Sequence, residues 1–143
     1  MTYYSEMGLH HFVQMQNLGA IDTSPGNSFS ALISVGNIPP GESVNVVFEC
    51  APEDPANPGN PDNTAWAPLE VRQDQCDPNS PLVPAQVQLN DTHPGHVVEA
   101  ALNLCGCRFL RANITATPGV PGGPNAVHVI GMFGHLRRSE PPA

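Results

Sequence analysis

The sequence predicts an all-β fold, an antiparallel β-sandwich or jelly roll of about 7–8 strands with an extended N-terminal arm. Two observations carry this. Apolar and polar residues alternate with a period of two in run after run, which on a strand gives one dry face and one wet face. Between the runs lie most of the 17 prolines and 13 glycines of the 143-residue chain. Proline lacks the N–H that a ladder needs and glycine opens turn conformations, so these residues mark connections rather than elements.

The clearest segment is Cys107 to Gly134. Leu110, Ala112 and Ile114 alternate with Arg111, Asn113 and Thr115; Val127 and Val129 alternate with His128 and Ile130. The link from Pro118 to Pro124 holds three prolines and three glycines, and the segment reads as a closing hairpin. A second hairpin is expected upstream. Phe29, Ala31, Ile33 and Val35 alternate with Ser30, Leu32 and Ser34, then Pro39-Pro40-Gly41 turns the chain into Val44, Val46 and Phe48. Trp66, Leu69 and Val71 begin a further strand in which Pro68 marks an edge or a bulge. Val83, Ala85, Val87 and Leu89 form another. The apolar run from Val97 to Leu104 reads as strand or short helix.

Three stretches fall outside this pattern. Residues 1–25 carry Tyr3, Tyr4, Leu9, Phe12, Val13 and Met15 without a clean period and read as an arm, either a first strand covering the sandwich or a segment that docks on a neighbouring subunit. The sandwich domain is expected over 26–136, followed by a frayed tail, 137–143. Residues 51–64 hold four prolines and no large apolar side chain, which describes a long exposed loop. Its acids and amides suit a solvated surface, with a calcium site as the sharper alternative.

The charge balance excludes some partners. Thirteen acids stand against five arginines, there is no lysine, and the net charge is −8. Such a chain lacks the cations that bind phosphate backbones or anionic lipid, so nucleic acid and membrane are not expected partners. The opening residues show no basic region followed by an apolar core, and no run approaches the roughly 18 apolar residues of a membrane helix. The expectation is synthesis in a cytoplasm. There the four cysteines, Cys50, Cys76, Cys105 and Cys107, read as small apolar strand residues. A zinc site at Cys105 and Cys107 and a Cys50–Cys76 disulfide are the alternatives. A chain of this length buries roughly 70% of its unfolded surface and is expected to fold without staples.

Catalytic patterns are lacking. The sequence has no Gly-x-Ser-x-Gly, His-Glu-x-x-His or phosphate-binding loop. His10-His11 and His93-x-x-His96 are the local histidine clusters, without a third ligand nearby in sequence. A single carboxylate, Glu99, in an apolar run makes no acid–base pair. The expectation is a non-enzyme without cofactor. Partner contacts are sought among exposed aromatics and outward strand residues: Tyr3, Tyr4, Leu9, Phe12, Val13, Met15, Trp66, Arg111 and His128.

The strand from Arg108 to Thr115, the Pro/Gly loop, and the last strand from Ala126 to Gly134 together resemble the closing segment of small virion proteins of tailed bacteriophages, the jelly-roll cement or decoration proteins. The resemblance implies a structural role on the outside of a capsid, with the major capsid protein and further copies of the chain, as a homotrimer, for partners. Two other classes remain in play. A carbohydrate-binding or host-attachment sandwich would use Trp66 beside Asp62 and Asn63. A small metal-dependent double-sheet barrel would gather histidines around one pocket.

Overall fold

Alternation places every second side chain of the long strands in one interior, and the interior lies between two antiparallel sheets. The computed structural model describes residues 3–5, 11–74, 76–103, 106–134 and 136–138. Its strands are β1 (Tyr3–Ser5), β2 (His11–Met15), β3 (Ile21–Asp22), β4 (Ser28–Val35), β5 (Ser43–Ala51), β6 (Ala67–Pro68), β7 (Glu70–Arg72), β8 (Leu82–Pro84), β9 (Gln86–Asn90), β10 (Gly95–Asn103), β11 (Phe109–Ala116), β12 (Val127–Gly134) and β13 (Leu136–Arg138). The chain is all-β, as its sequence predicts, with sheets consistent with a β-sandwich. One sheet has the order β10-β4-β12-β2; the other has the order β3-β11-β5-β6, with β9 also paired to β5. Residues 97–104, open between helix and strand in the sequence, fall in β10 as far as Asn103.

Neither expected hairpin forms. β4 and β12 pair with each other in one sheet, while β5 and β11 pair with each other in the other. The links β4–β5 and β11–β12 are therefore arches that carry the chain across the sandwich. The physical reason is in the links themselves. Each is too long for a two-residue hairpin turn, and each drops one apolar side chain into the end of the core: Ile38 in the first, Val120 in the second, both buried. The arches also bind each other. The Ser43 N–H donates to Thr117 Oγ1 at 2.9 Å, the Thr117 N–H to the Ser43 carbonyl at 3.0 Å, and the Gly119 N–H to Glu42 Oε2 at 3.2 Å.

The core is continuous between the sheets. Phe29, Phe48, Ile33, Leu89, Leu110, Val44, Val46 and Val129 are almost fully buried, each contributing about 1.5–3 kcal/mol of transfer free energy. The Phe29 ring meets Phe48 of the opposite sheet edge-on at 5.8 Å and Phe133 of its own sheet at 5.1 Å. Gly131, beside Phe29 on the neighbouring strand, leaves the ring its space, and a Cβ there would collide with it.

The boundary expected at residue 25 does not appear. β2 pairs with β12 along its whole length and Met15 is buried in the core. The chain then crosses to the other sheet. The Leu18 N–H donates to the Ala112 carbonyl at 2.9 Å, Asn17 Oδ1 accepts the Ile114 N–H at 2.9 Å, and β3 pairs with β11. Residues 11–22 thus stitch both sheets at one edge, because they offer inward apolar residues at the strand period and an amide that caps the ladder. Arg137 and Arg138, expected in a frayed tail, lie in β13, opposite Tyr4 and Tyr3 of β1. Leu9 and residues 139–143 lie outside the described residues.

The cysteine expectation is also corrected. Cys50 at the end of β5 is bonded to Cys107 just before β11, with Cα atoms 5.5 Å apart, and Cys76 is an exposed free thiol. The β5–β11 register brings the first two together, whereas Cys76 sits in the 73–81 loop. Cys105 lies outside the described residues.

Two stability predictions follow from this packing. Gly131→Ala forces the Phe29 ring to move and is expected to cost about 1–3 kcal/mol, read as a lower denaturant midpoint at unchanged m-value. The disulfide closes a loop over a sequence separation of 57. Its reduction, or Cys50→Ser with Cys107→Ser, is expected to cost about 4 kcal/mol; equal midpoints with and without reductant would refute a stabilising cross-link.

Candidate functional site

The outer faces of the two sheets differ in chemistry. On the five-stranded sheet, β11 and β5 place Arg111 directly opposite Glu49. Arg111 Nε donates to Glu49 Oε1 at 2.8 Å, with both side chains largely buried. The guanidinium lies 4.3 Å from the Trp66 ring, and Trp66 Nε1 donates to Asn63 Oδ1 at 3.1 Å. Desolvation strengthens such a stack of cation, carboxylate and indole. One turn of chain earlier, Arg108 donates to Asp22 Oδ1 at 2.6 Å, approaches Glu53 at 3.9 Å, and covers the buried Phe109 ring at 4.5 Å. The Arg108 hydrogen bond, followed by the Ser24 N–H, holds the Asp22 carboxyl below the usual carboxylate range. Each arginine on this face is matched with an acid.

The 51–64 loop uses its oxygens in the same internal way. Glu53 Oε1 accepts the Gly59 N–H at 2.7 Å, and Asp54 Oδ1 accepts the Ala56 N–H at 2.9 Å. Asp62 Oδ1 accepts both the N–H and the hydroxyl of Thr64, which lowers the Asp62 pKa. A bridge between Glu53 and Pro61 closes the loop. These carboxylates organise turns and do not converge on a common point. Among the described residues, no group of three or more His, Cys, Asp or Glu is placed to hold a metal ion.

The four-stranded sheet presents the opposite chemistry. Val13, Met15, Ala31, Ile33, Val129, Gly131 and Phe133 point inward, so the outward phase falls to their neighbours. Across β2, β12 and β4 the register aligns Phe12, Met132 and Ser30 in one row, then Gln14, Ile130 and Leu32 in the next. His128 and Ser34, both outward, follow in a third. Phe12 is 74% exposed, Leu32 and Ile130 47% each. Between them lies an open groove of about 250 Å³, floored by Ser30, Ala31, Gly131 and Met132. No acid, lysine or arginine occupies the described outward positions of these three strands.

The sequence-selected residues divide between the two faces. Trp66 and Arg111 are brought together on the five-stranded sheet, stacked on each other. Phe12 and His128 share the four-stranded sheet. Val13 and Met15 face the core and are packing residues. Tyr3 and Tyr4 lie in β1. Leu32, Ile130 and Met132 were not selected from the sequence, although the signal was present: each is a large apolar residue in the wet phase of its strand.

Comparison with known proteins finds no matching protein-family model, no similar curated protein and no similar solved structure. No helix among the described residues is long and apolar enough to cross a membrane.

Arg111→Ala leaves a largely buried Glu49 unpaired and uncovers one face of Trp66. The expected cost is about 1.5–3 kcal/mol, with a red shift in the emission of Trp66, the chain's single tryptophan. Arg111→Lys is expected to recover only part of either signal, since an ammonium neither forks nor stacks as a guanidinium does.

Proposed function

We propose that the chain is a structural protein of a virus particle, a cement or decoration protein that binds the outside of an assembled capsid and stabilises it. The observation that carries this reading is the apolar face that β2, β4 and β12 present, which has no acid, lysine or arginine at its described outward positions. An exposed apolar patch on a folded domain marks an interaction surface, and its side chains stand on hydrogen-bonded strands rather than on loops. The likeness of residues 108–115 and 126–134 to virion sandwich proteins supports the particular setting, although the two segments are joined by an arch and not by a hairpin. The partner in this reading is the major capsid protein. Modest affinity per copy suffices, because many copies act together and every bound copy favours the assembled shell. The net charge of −8 suits a protein that need not touch packaged nucleic acid.

The carbohydrate-binding alternative draws less from the geometry. One face of the Trp66 ring lies against the Arg111 guanidinium and its N–H is held by Asn63. Little of the ring is left for a sugar.

The test is composition and stability of purified particles. The chain is expected in many copies per shell, in fixed ratio to the major capsid protein. Stripped shells are expected to disrupt at lower temperature and to regain stability when the purified chain is added back. Absence from particles, or shells indifferent to its removal, would overturn the reading.

A further inference from the structure

We infer that the Cys50–Cys107 disulfide is a reversible redox latch. Small thiols and disulfides open and close it by exchange at Cys50 in the folded chain, and its state sets the order of β3 and of residues 106–108. The inference stands apart from the virion reading, since it depends only on what surrounds the bond.

The first argument is access. Cys50 is half-buried, whereas Cys107 is 7% exposed. Both line an open groove of about 310 Å³, together with Pro68, Leu69, Glu70 and Gly106. Exchange requires an attacking thiolate to reach one sulfur of the bond. The groove has room for a small thiol, and Cys50 is the more accessible of the two partners.

The second argument is that the fold accommodates both states. Leu110, not Cys107, is the ladder partner of Cys50 on β11, and Ala67 of β6 pairs with Cys50 on its other side. Opening the bond therefore leaves the ladders of β5 in place. The reduced state also finds its hydrogen bond. Cys107 Sγ lies 3.3 Å from the Phe109 carbonyl oxygen, so the buried thiol released by reduction has an acceptor waiting. A buried donor without one would oppose opening.

The third argument is what the bond holds. Cys107 and Arg108 lead into β11, and the two-residue β3 is fastened to them. The Thr23 hydroxyl donates to the Cys107 carbonyl, and the Thr23 N–H donates to the Arg108 carbonyl at 3.2 Å. Arg108 adds its ion pairs to Asp22 and Glu53, both exposed, and exposed pairs contribute little. Closed, the bond fixes this corner to β5. Open, it leaves the corner to contacts that yield locally. The 51–64 loop does not share this dependence, because it is closed by its own bonds from the Asp54 N–H to Asn60 and from the Asp62 N–H to Pro52.

The closing step balances with a disulfide as oxidant. The Cys50 thiolate attacks oxidised glutathione and expels one glutathione thiolate. The Cys107 thiolate then attacks the Cys50 sulfur of the mixed disulfide and expels the other. The protein thiols give up two electrons and two protons, and the glutathione disulfide becomes two thiols. Opening by reduced glutathione is the reverse. A chain made where thiols stay reduced thus folds unlatched and latches on reaching oxidising surroundings.

The experiment uses the full chain with Cys76→Ser and Cys105→Ser, which leaves Cys50 and Cys107 as its only cysteines. In glutathione buffers without denaturant, samples started reduced and oxidised are expected to converge on one disulfide fraction. Hydrogen exchange read by NMR is expected to be at least about tenfold faster at Thr23 and residues 106–108 in the reduced chain. Amides of β4 and β12 are expected to stay protected, and those of the 51–64 loop to stay unchanged. Further addition of Cys107→Ser leaves Cys50 to react with oxidised glutathione. Addition of Cys50→Ser instead leaves Cys107, which is expected to react at least about tenfold more slowly. A bond that glutathione opens only in denaturant overturns the inference, as does a reduced chain whose β4 and β12 amides lose protection. Equal exchange at Thr23 and residues 106–108 in both states overturns it too, as does equal reactivity of the two single thiols.

Discussion

The contact between Phe29 and Phe48 is the constraint from which the rest of the sandwich can be built. Phe29 stands on β4, flanked by β10 and β12; Phe48 stands on β5, flanked by β11 on one side and by β9 and β6 on the other. Their rings meet edge-on across the interior, which sets the two central strands face to face. Phe48 is also where the edge of its sheet changes partner. Its N–H donates to Ala85 at 3.0 Å, its carbonyl accepts from Leu69 at 2.8 Å, and the Ala85 N–H closes the triangle on Leu69 at 2.7 Å. A single position thus fixes the core contact and the point at which β9 gives way to β6. The two arches follow, because β4 and β5 are consecutive long strands that belong to different sheets. β11 and β12 follow one another in the same way and pair with β5 and β4 respectively, so the link between them crosses as well.

Burial of the inward phase leaves each sheet with an outer face, and the sequence equips the two differently. On the five-stranded sheet, cation, carboxylate and indole satisfy one another at short range. Such pairs add modest stability when exposed and more when desolvated. They use up the chemistry of that face internally. On the four-stranded sheet nothing within the described chain covers Phe12, Leu32 or Ile130. An apolar side chain in water gains nothing from remaining there. The asymmetry between a self-satisfied face and an unsatisfied one is the physical basis for placing contacts on the second.

The long strands were legible because their alternation is strict: residues 29–35, 44–48, 110–115 and 127–130 each fall within one strand, whereas 83–89, read as one strand, breaks at Ala85 into β8 and β9, which pair in different sheets. Their pairing was not. Ser43 to Ala51 and Phe109 to Ala116 pair over eight positions, yet nothing local in either run names the other. A Pro/Gly link is equally compatible with a turn within a sheet and an arch between sheets. The distinguishing mark was the single apolar residue inside each link, Ile38 and Val120, which has no place in a solvent-exposed turn. Residues 11–15 were hard for a related reason. Phe12 occupies the outward phase, so the run lacks the apolar–polar contrast that reveals an amphipathic strand. The Cys50–Cys107 bond depended on the same long-range register. Trp66 and Arg111 could be chosen singly as candidate contacts, but their stacking on each other was a property of the fold.

The mounting of the apolar face decides what association would cost. Leu32 lies on β4, hydrogen-bonded on both sides, and Ile130 lies on β12 between β4 and β2. Side chains held this way lose little freedom when a partner arrives, so less of the contact energy is consumed by ordering them. Phe12 is different. β2 pairs with β12 alone, and an edge strand with one ladder opens more readily than a central one. Met15 anchors its far end in the core, and the crossing at Leu18 and Asn17 ties the chain to Ala112 and Ile114. The edge strand is thus held at its C-terminal end by this crossing, and on the side of its N-terminal end β1 pairs with β13. A partner seated on Phe12 would hold β2 against β12, so occupation of this face and integrity of the sheet edge are thermodynamically linked: whatever binds the face also stabilises the edge strand that presents it.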